Sequence, residues 1–182
     1  MCCAQVFDFE ADTTKGCAPL KATYINTTPD SIKNNYSYEW IVEAGKFSTQ
    51  TDSVQNTYLM TGRYTATMKV YDVSKKLVST VTKKDYITVY NDPDVTITSD
   101  KSSTCEDKEF NFSIVSLTAD TTISSYSWIL SDGTIYQSET PPAHIFGFAE
   151  DFTVFLSVID DHGCTNRERK TISVKTYDDY PE

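Results

Sequence analysis

Few residues in this chain could support catalysis or metal binding: two histidines, His144 and His162, and five cysteines. A Cys–His or Ser–His pair would supply a nucleophile and its base if the fold brought the two side chains together. His144 lies in a short apolar run, whereas His162 precedes a glycine and reads as part of a turn. The spacings Cys-x-x-Cys and His-x-x-x-His, typical of zinc sites, do not occur, and neither does a glycine-rich phosphate loop. The sequence therefore predicts no enzyme.

Carboxylates offer a second kind of chemistry, because calcium prefers oxygen ligands. Asp160 and Asp161, together with Glu106 and Asp107, are the candidate ligands. Asp160 also has a structural interpretation, in which its side chain holds the backbone of the following turn. Asp72 lies at the corresponding place 88 residues earlier, in a half of the chain without net charge, and this favours the structural role. We expect no cofactor, with calcium as the one candidate.

Charge is distributed unevenly along the chain. Residues 5–92 contain ten acidic and ten basic residues, whereas residues 93–182 contain sixteen acidic and six basic residues. A nucleic-acid partner is therefore disfavoured, because binding to phosphates needs a basic surface. The acidity of the second half is explained by solubility, or by a cation or a basic partner bound there.

An internal repeat determines the predicted architecture. Adding 88 to a position in the first half gives a residue of like type many times over. The pairs are Cys17 and Cys105, Tyr24 and Phe112, Tyr38 and Tyr126, Trp40 and Trp128, Gly45 and Gly133, Tyr64 and Phe152, Val70 and Val158, and Asp72 and Asp160. Two copies of one fold in tandem are the interpretation that this pattern favours.

Each copy reads as about seven short strands with turn signals between them. In the segment Tyr64–Tyr71, for example, apolar and polar residues alternate, as they do in a strand with one buried face. Trp40 and Trp128 lie on the apolar side of their strands, so we expect both indoles in the core. The prediction is an all-β chain of two β-sandwiches, at residues 5–91 and 92–176, followed by a polar tail or linker at 177–182.

Surface aromatics could bind sugars or proteins. The residues expected to lie out of phase with the core are Tyr58, Tyr71, Tyr90 and Tyr136. They are the candidates for such contacts.

The first residues bear on export and anchoring. Met1-Cys2-Cys3-Ala4-Gln5 resembles the end of a trimmed signal peptide, and either cysteine could instead carry a lipid that tethers the protein to a membrane. Tethering through a larger parent chain is the other alternative. No segment reaches the roughly 18 apolar residues that a membrane-spanning helix needs.

The repeated motifs resemble the PKD (polycystic kidney disease) domain, an immunoglobulin-like β-sandwich. The family pattern has a Trp-containing strand that leads to a Gly turn, a long strand of the form Tyr-x-Val-x-Leu-x-Val-x-Asp, and a closing Ile-x-Val strand. The matching segments are Tyr38–Gly45, Gly62–Asp72 and Ile87–Val89 in the first copy, and Tyr126–Gly133, Phe152–Asp160 and Ile172–Val174 in the second. The cysteine placement is similar to that of PKD modules in secreted proteins of Bacteroidota.

The resemblance implies a Cys105–Cys164 disulfide in the second copy and a structural role for His144. In the first copy Lys76 stands where a partner for Cys17 would be. Cys3 would lie at the far end of a strand pair about 23 Å long, and a disulfide needs Cα atoms within about 7 Å. We therefore predict that Cys17 is unpaired and buried.

The resemblance also implies the function. PKD modules occur in surface adhesins, in gliding and secretion components and in glycan-degrading proteins. We expect a non-catalytic interaction or spacer module, secreted or at the cell surface and outer-membrane-associated, that contacts a protein partner or a cell-surface glycan. The alternatives are a carbohydrate-binding accessory module of a secreted glycan-degrading protein and a subunit of an outer-membrane secretion or gliding machine.

Overall fold

The protein is described by a computed structural model, which covers residues 6–42, 45–49, 52–116 and 121–176. The chain divides into two compact units, Met1–Asn91 and Asp92–Glu182. The described residues form an all-β immunoglobulin-like fold, with a single four-residue helix. The N-terminal cysteines Cys2 and Cys3 and the predicted tail at 177–182 lie outside the described residues. No helix in the described part of the chain is long and apolar enough to cross a membrane.

The first unit pairs a three-stranded sheet with a five-stranded sheet. The order in the first sheet is β1-β3-β6 and in the second β2-β8-β7-β4-β5. The elements are β1 (Phe9–Ala11), β2 (Lys15–Cys17), β3 (Leu20–Asn26), α1 (Asp30–Lys33), β4 (Ser37–Val42), β5 (Gly45–Thr49), β6 (Ser53–Tyr58), β7 (Gly62–Tyr71) and β8 (Leu77–Tyr90).

The second unit has a five-stranded sheet, β10-β17-β16-β13-β14, and two small pairs, β12-β9 and β11-β15. Its strands are β9 (Val95–Ser99), β10 (Ser103–Cys105), β11 (Glu109–Phe110), β12 (Phe112–Ser116), β13 (Ile123–Leu130), β14 (Ile135–Tyr136), β15 (His144–Ile145), β16 (Asp151–Asp160) and β17 (Thr165–Lys175).

Three strand pairings have the same register in both units at an offset of 88 residues. Three pairs in the first unit and their counterparts in the second are Phe9–Asn26 and Ile97–Ile114, Ala22–Asn56 and Phe110–His144, and Trp40–Met68 and Trp128–Leu156. These strand pairs thus have the same register in both units, although most of the residue types at these positions differ.

The last strand breaks this offset. Ile87 and Val89 in β8 and Ile172 and Val174 in β17 are the buried closing residues, and they are 85 residues apart. The first unit takes up its three extra residues at register shifts between β7 and β8. Such bulges add residues to one strand while the core-facing positions on either side stay aligned.

Both indoles lie in the core of their unit. Trp40 and Trp128 are fully buried, and each contacts a phenylalanine ring from another strand, Phe9 at 5.4 Å and Phe112 at 6.5 Å between centroids. The two rings differ in one respect. Trp128 Nε1 donates a hydrogen bond to the carbonyl of Ser138 at 2.9 Å, whereas Trp40 Nε1 has no hydrogen-bond partner among the described residues.

The predicted Cys105–Cys164 disulfide is wrong: Cys105 is free, while Cys164 is disulfide-bonded. Strand β10 runs parallel to β17 and places Cys105 opposite Lys175, at the end of β17, whereas Cys164 directly precedes its first residue, Thr165. An eleven-residue strand is about 33 Å long, and a disulfide needs Cα atoms within about 7 Å. The two sulfurs therefore cannot meet.

The prediction for Cys17 is also wrong. Cys17 is disulfide-bonded and only half-buried. It ends β2, a three-residue strand at the edge of its sheet, where a side chain is not enclosed between two sheets.

Thiol labelling checks the cysteine assignment. We expect a maleimide to modify Cys105 in denatured, unreduced protein, and to modify Cys17 and Cys164 only after reduction. A Cys105→Ser variant is the control, since it should lose that label and leave the other two unchanged. Labelling of Cys164 before reduction would contradict the assignment.

Candidate functional site

His144 is part of a chain of hydrogen bonds. Its Nε2 lies 2.6 Å from Asp132 Oδ2, and its Nδ1 lies 2.9 Å from the hydroxyl of Tyr136. Burial alone would raise the pKa of Asp132, but hydrogen bonds from Thr134 and His144 lower it below its usual value. The imidazole is nearly enclosed and packs edge-on against Phe146. The three side chains tie β14 and β15 to the turn after β13, which is the structural role that the resemblance implied.

Asp160 holds the turn that follows β16. Its Oδ1 accepts hydrogen bonds from the backbone N–H groups of His162 and Cys164, at 2.9 and 2.7 Å. Asp72 does the same in the first unit with the N–H groups of Ser74 and Lys76. The bond from Lys76 is the largest cause that lowers the pKa of Asp72. The structural interpretation of Asp160 is confirmed.

The four candidate calcium ligands do not come together. Glu106 and Asp107 follow β10, and the N–H of Glu106 donates to the carbonyl of Lys175 at the end of β17. Asp160 and Asp161 precede the start of that strand, about 33 Å away along its length. A calcium site made by either pair alone stays a prediction.

The four tyrosines proposed for surface contacts are not exposed. Tyr58 is fully buried, and its hydroxyl lies 2.5 Å from that of Tyr24 in the core. Tyr71, Tyr90 and Tyr136 are half-buried. Asn56 lies at the inward position between Val54 and Tyr58. Because this residue is polar, the sequence of the strand does not show the alternation of apolar and polar residues that would place Tyr58 in the core.

An exposed apolar row crosses the outward face of the five-stranded sheet in the second unit. Ile135, Ile129 and Phe155 are cross-strand neighbours on β14, β13 and β16. Their side chains are 59%, 46% and 45% exposed. Ile159, four residues after Phe155 on the same side of β16, is also exposed. A contiguous apolar patch of this kind marks an interaction site more often than a single exposed residue does.

The next row along the sheet is polar. Ser127 on β13 pairs with Ser157 on β16, which pairs with Arg167 on β17. Ser127, Ser157 and Arg167 line a groove of about 480 Å³ together with Ile129, Phe155, Leu156 and Glu168. We call the surface formed by this groove and by the neighbouring residues Ile135 and Arg169 the outer groove.

The outward strand positions of this face carry more cations than carboxylates, whereas the second half of the chain is acidic. Arg169 pairs with Phe155, and with Arg167 and Lys175 it gives the outward side of β17 three cations. Among the described strand residues that point the same way, Asp151 supplies the one carboxylate, and Glu168 adds a second carboxylate to the lining of the groove. The second half of the chain nevertheless contains sixteen acidic and six basic residues.

The corresponding face of the first unit is more polar, although Ile41 stands at the position of Ile129. Glu39 and Lys69 stand where the second unit has Ser127 and Ser157, and they form a 3.4 Å salt bridge. Thr67 replaces Phe155 and shares a 3.1 Å hydrogen bond with Thr82. Since both units use the same register here, the fold itself does not require the exposed Phe155.

The outer groove is not apparent in the sequence. Phe155 lies between the buried residues Val154 and Leu156, so three apolar residues in succession conceal the outward position. The available signal was the aligned pair Thr67 and Phe155, in which a polar residue becomes aromatic at an outward position.

Comparison with protein families gives one match. The family model described as the PKD domain matches residues 90–176. PKD domains are generally non-catalytic modules. A PKD domain and disulfide-bonded cysteines are together typical of an extracellular or surface protein.

Three solved structures are similar to part of this chain. The PKD1 domain of the Vibrio cholerae metalloprotease PrtV is 25% identical, with 47% of this chain and 99% of that chain covered and a TM-score of 0.41. The PKD1 domain of Vibrio anguillarum Epp is 24% identical over 47% of this chain and 95% of its own, with a TM-score of 0.41. A structure of carbohydrate-binding modules from the β-sandwich superfamily is 25% identical over 47% of this chain and 35% of its own, with a TM-score of 0.44.

The second unit, with its buried Trp128, its capped turn at Asp160 and its family match, is accounted for by one assignment: residues 90–176 form a PKD domain.

Proposed function

We propose that this protein is a non-catalytic interaction module of a secreted or cell-surface protein, and that it holds a protein partner through the outer groove. The first unit is in this proposal a second PKD-type sandwich in tandem, which is supported by the shared strand register and by the turn caps at Asp72 and Asp160. Its role is to extend and present the binding unit.

One observation carries the proposal: Phe155 extends an exposed apolar row where the equivalent face has Thr67, and Ser127 and Ser157 replace the Glu39–Lys69 salt bridge of that face. Burial of apolar surface is the main favourable contribution to protein association. Phe155 and Ile129 are exposed to water and gain no free energy from burial within the fold, so their apolar side chains have no structural explanation.

The partner that fits is an acidic polypeptide segment with apolar side chains. Its carboxylates would pair with Arg167 and Arg169, which present planar donors suited to carboxylates. Its apolar side chains would cover Ile129, Ile135 and Phe155. Aliphatic isoleucines favour a polypeptide over a sugar, because sugar rings stack on aromatic faces rather than on branched aliphatic chains.

Selection from a displayed library of random peptides tests this function. We expect enrichment of peptides that combine Asp or Glu with apolar residues, and binding at least about tenfold weaker to an Ile129→Thr/Phe155→Thr variant. Ile41→Thr, at the equivalent outward position of the first unit, is the matched control and should bind as the parent protein does. Affinity should fall as salt rises, since the charges are exposed.

Three results would overturn the proposal. The first is that no acidic peptides are enriched, or that those enriched bind the double variant equally well. The second is binding to neutral saccharides on a glycan array that the double variant loses, which would support the carbohydrate-binding alternative. A stable envelope complex that survives Ile129→Thr/Phe155→Thr would favour the role in a secretion or gliding machine and also exclude the groove.

A further inference from the structure

The turn between β16 and β17 brings three potential metal ligands together. Asp160, Asp161 and His162 offer ligand atoms that all lie within 4.8 Å of one another. His162 Nδ1 is 3.0 Å from Asp161 Oδ1 and 4.0 Å from Asp160 Oδ2. Ligands around one zinc ion stand about 3 to 3.5 Å apart, so small side-chain rotations would bring the three atoms into one coordination shell.

One of these atoms is a buried oxygen that the turn does not use. The side chain of Asp160 has no exposed surface, and its Oδ1 already accepts two backbone N–H groups. Its Oδ2 has no hydrogen-bond partner among the described residues and faces His162 Nδ1. A buried carboxylate oxygen without a partner is costly, because it has lost its water and gained nothing in exchange. A cation at this point would remove that cost.

The first unit shows which part of this arrangement the turn itself requires. Its turn has the same cap, Asp72, but Val73 and Ser74 follow where the second unit has Asp161 and His162. The cap therefore explains Asp160 Oδ1 alone. A second carboxylate and an imidazole, added around the unused oxygen, point to a ligand.

We propose that the turn binds a divalent transition-metal ion through Asp160 Oδ2, Asp161 Oδ1 and His162 Nδ1. One imidazole nitrogen and two carboxylate oxygens form a donor set that suits Zn²⁺ or a similar ion better than calcium, which takes oxygen ligands. Three protein ligands leave a further position of the ion open to water or to a partner. The site is separate from the outer groove and does not depend on the proposed function.

Calorimetric titration with Zn²⁺ alone tests the site. The protein should carry no affinity tag, and Cys2, Cys3 and Cys105 should be replaced by serine so that thiols do not compete for the ion. We expect one equivalent of Zn²⁺ to bind. The matched variant is Asp161→Val/His162→Ser, which gives the turn the residues of the first unit and keeps its cap. Its affinity for Zn²⁺ should be lower by more than about tenfold, because removing residues that bind the metal directly costs more affinity than removing residues that only orient the ligands.

Two readouts separate the site from adventitious binding. In NMR spectra, Zn²⁺ should shift the ring signals of His162 and leave those of His144, which is held by Asp132 and Tyr136, in place. The circular dichroism spectrum of the double variant should match that of the parent. Absence of Zn²⁺ binding, or equal binding by the variant, would overturn the proposal, as would a response to Ca²⁺ that does not require His162.

Discussion

Replacing Trp128 or Trp40 with alanine is expected to lower the free energy of unfolding of the unit concerned by about 3–5 kcal/mol. Both indoles are fully buried, and each lies against a phenylalanine ring. Truncation removes the largest side chain of the core and leaves a cavity that the two sheets cannot close without breaking their register. Urea unfolding followed by circular dichroism measures the loss, and a change below about 1 kcal/mol would contradict a core position.

Phenylalanine substitutions provide the matched comparison. In Trp128→Phe the carbonyl of Ser138 loses its donor, whereas Trp40→Phe removes an N–H that has no partner in the described part of the chain. We expect Trp128→Phe to cost about 1 kcal/mol more than Trp40→Phe, which is the net value of one such hydrogen bond. Equal costs would show that the indole bond contributes nothing.

The second large effect concerns the turn cap at Asp160. Asp160→Ala should destabilise the second unit by about 2–4 kcal/mol in metal-free buffer, because two backbone N–H groups lose a charged acceptor. The equivalent Asp72→Ala change in the first unit should cost less, since the N–H groups of that turn are exposed and can bind water instead. Thermal unfolding of the two variants measures the difference.

An equal or smaller effect for Asp160→Ala would contradict this account. It would mean that the unpartnered Oδ2 costs as much as the bonds to Oδ1 contribute. Asp160→Asn is the informative companion variant, since an amide keeps one acceptor for the turn and carries no charge.

The parts of the fold that the sequence predicts correctly are those indicated by the alternation of apolar and polar residues and by the internal repeat. In Phe152–Asp160 every second residue is apolar or caps a turn, and all of those positions are buried. Trp40 and Trp128 occupy equivalent register positions because the strands around them repeat residue by residue. Local pattern suffices here, since a strand with one apolar face has one orientation that buries it.

The cysteine pairing could not be read in the same way. It depends on where strand β10 joins the sheet, and its three residues carry no alternation that specifies their partner. Once β10 lies parallel to β17, Cys105 is fixed at the end farthest from Cys164. The outer groove could not be predicted from the sequence for a different reason. Outward residues such as Phe155 do not determine the fold, and their positions produce no periodic pattern in the sequence.

The contrast between the outward faces has a practical consequence for protein engineering. Because Thr67 and Phe155 hold equivalent places on matching strands, a binding surface could be transplanted between the halves by exchanging a handful of solvent-facing side chains. The first half would then become a recipient scaffold, and the natural groove could be erased from the second without disturbing its interior.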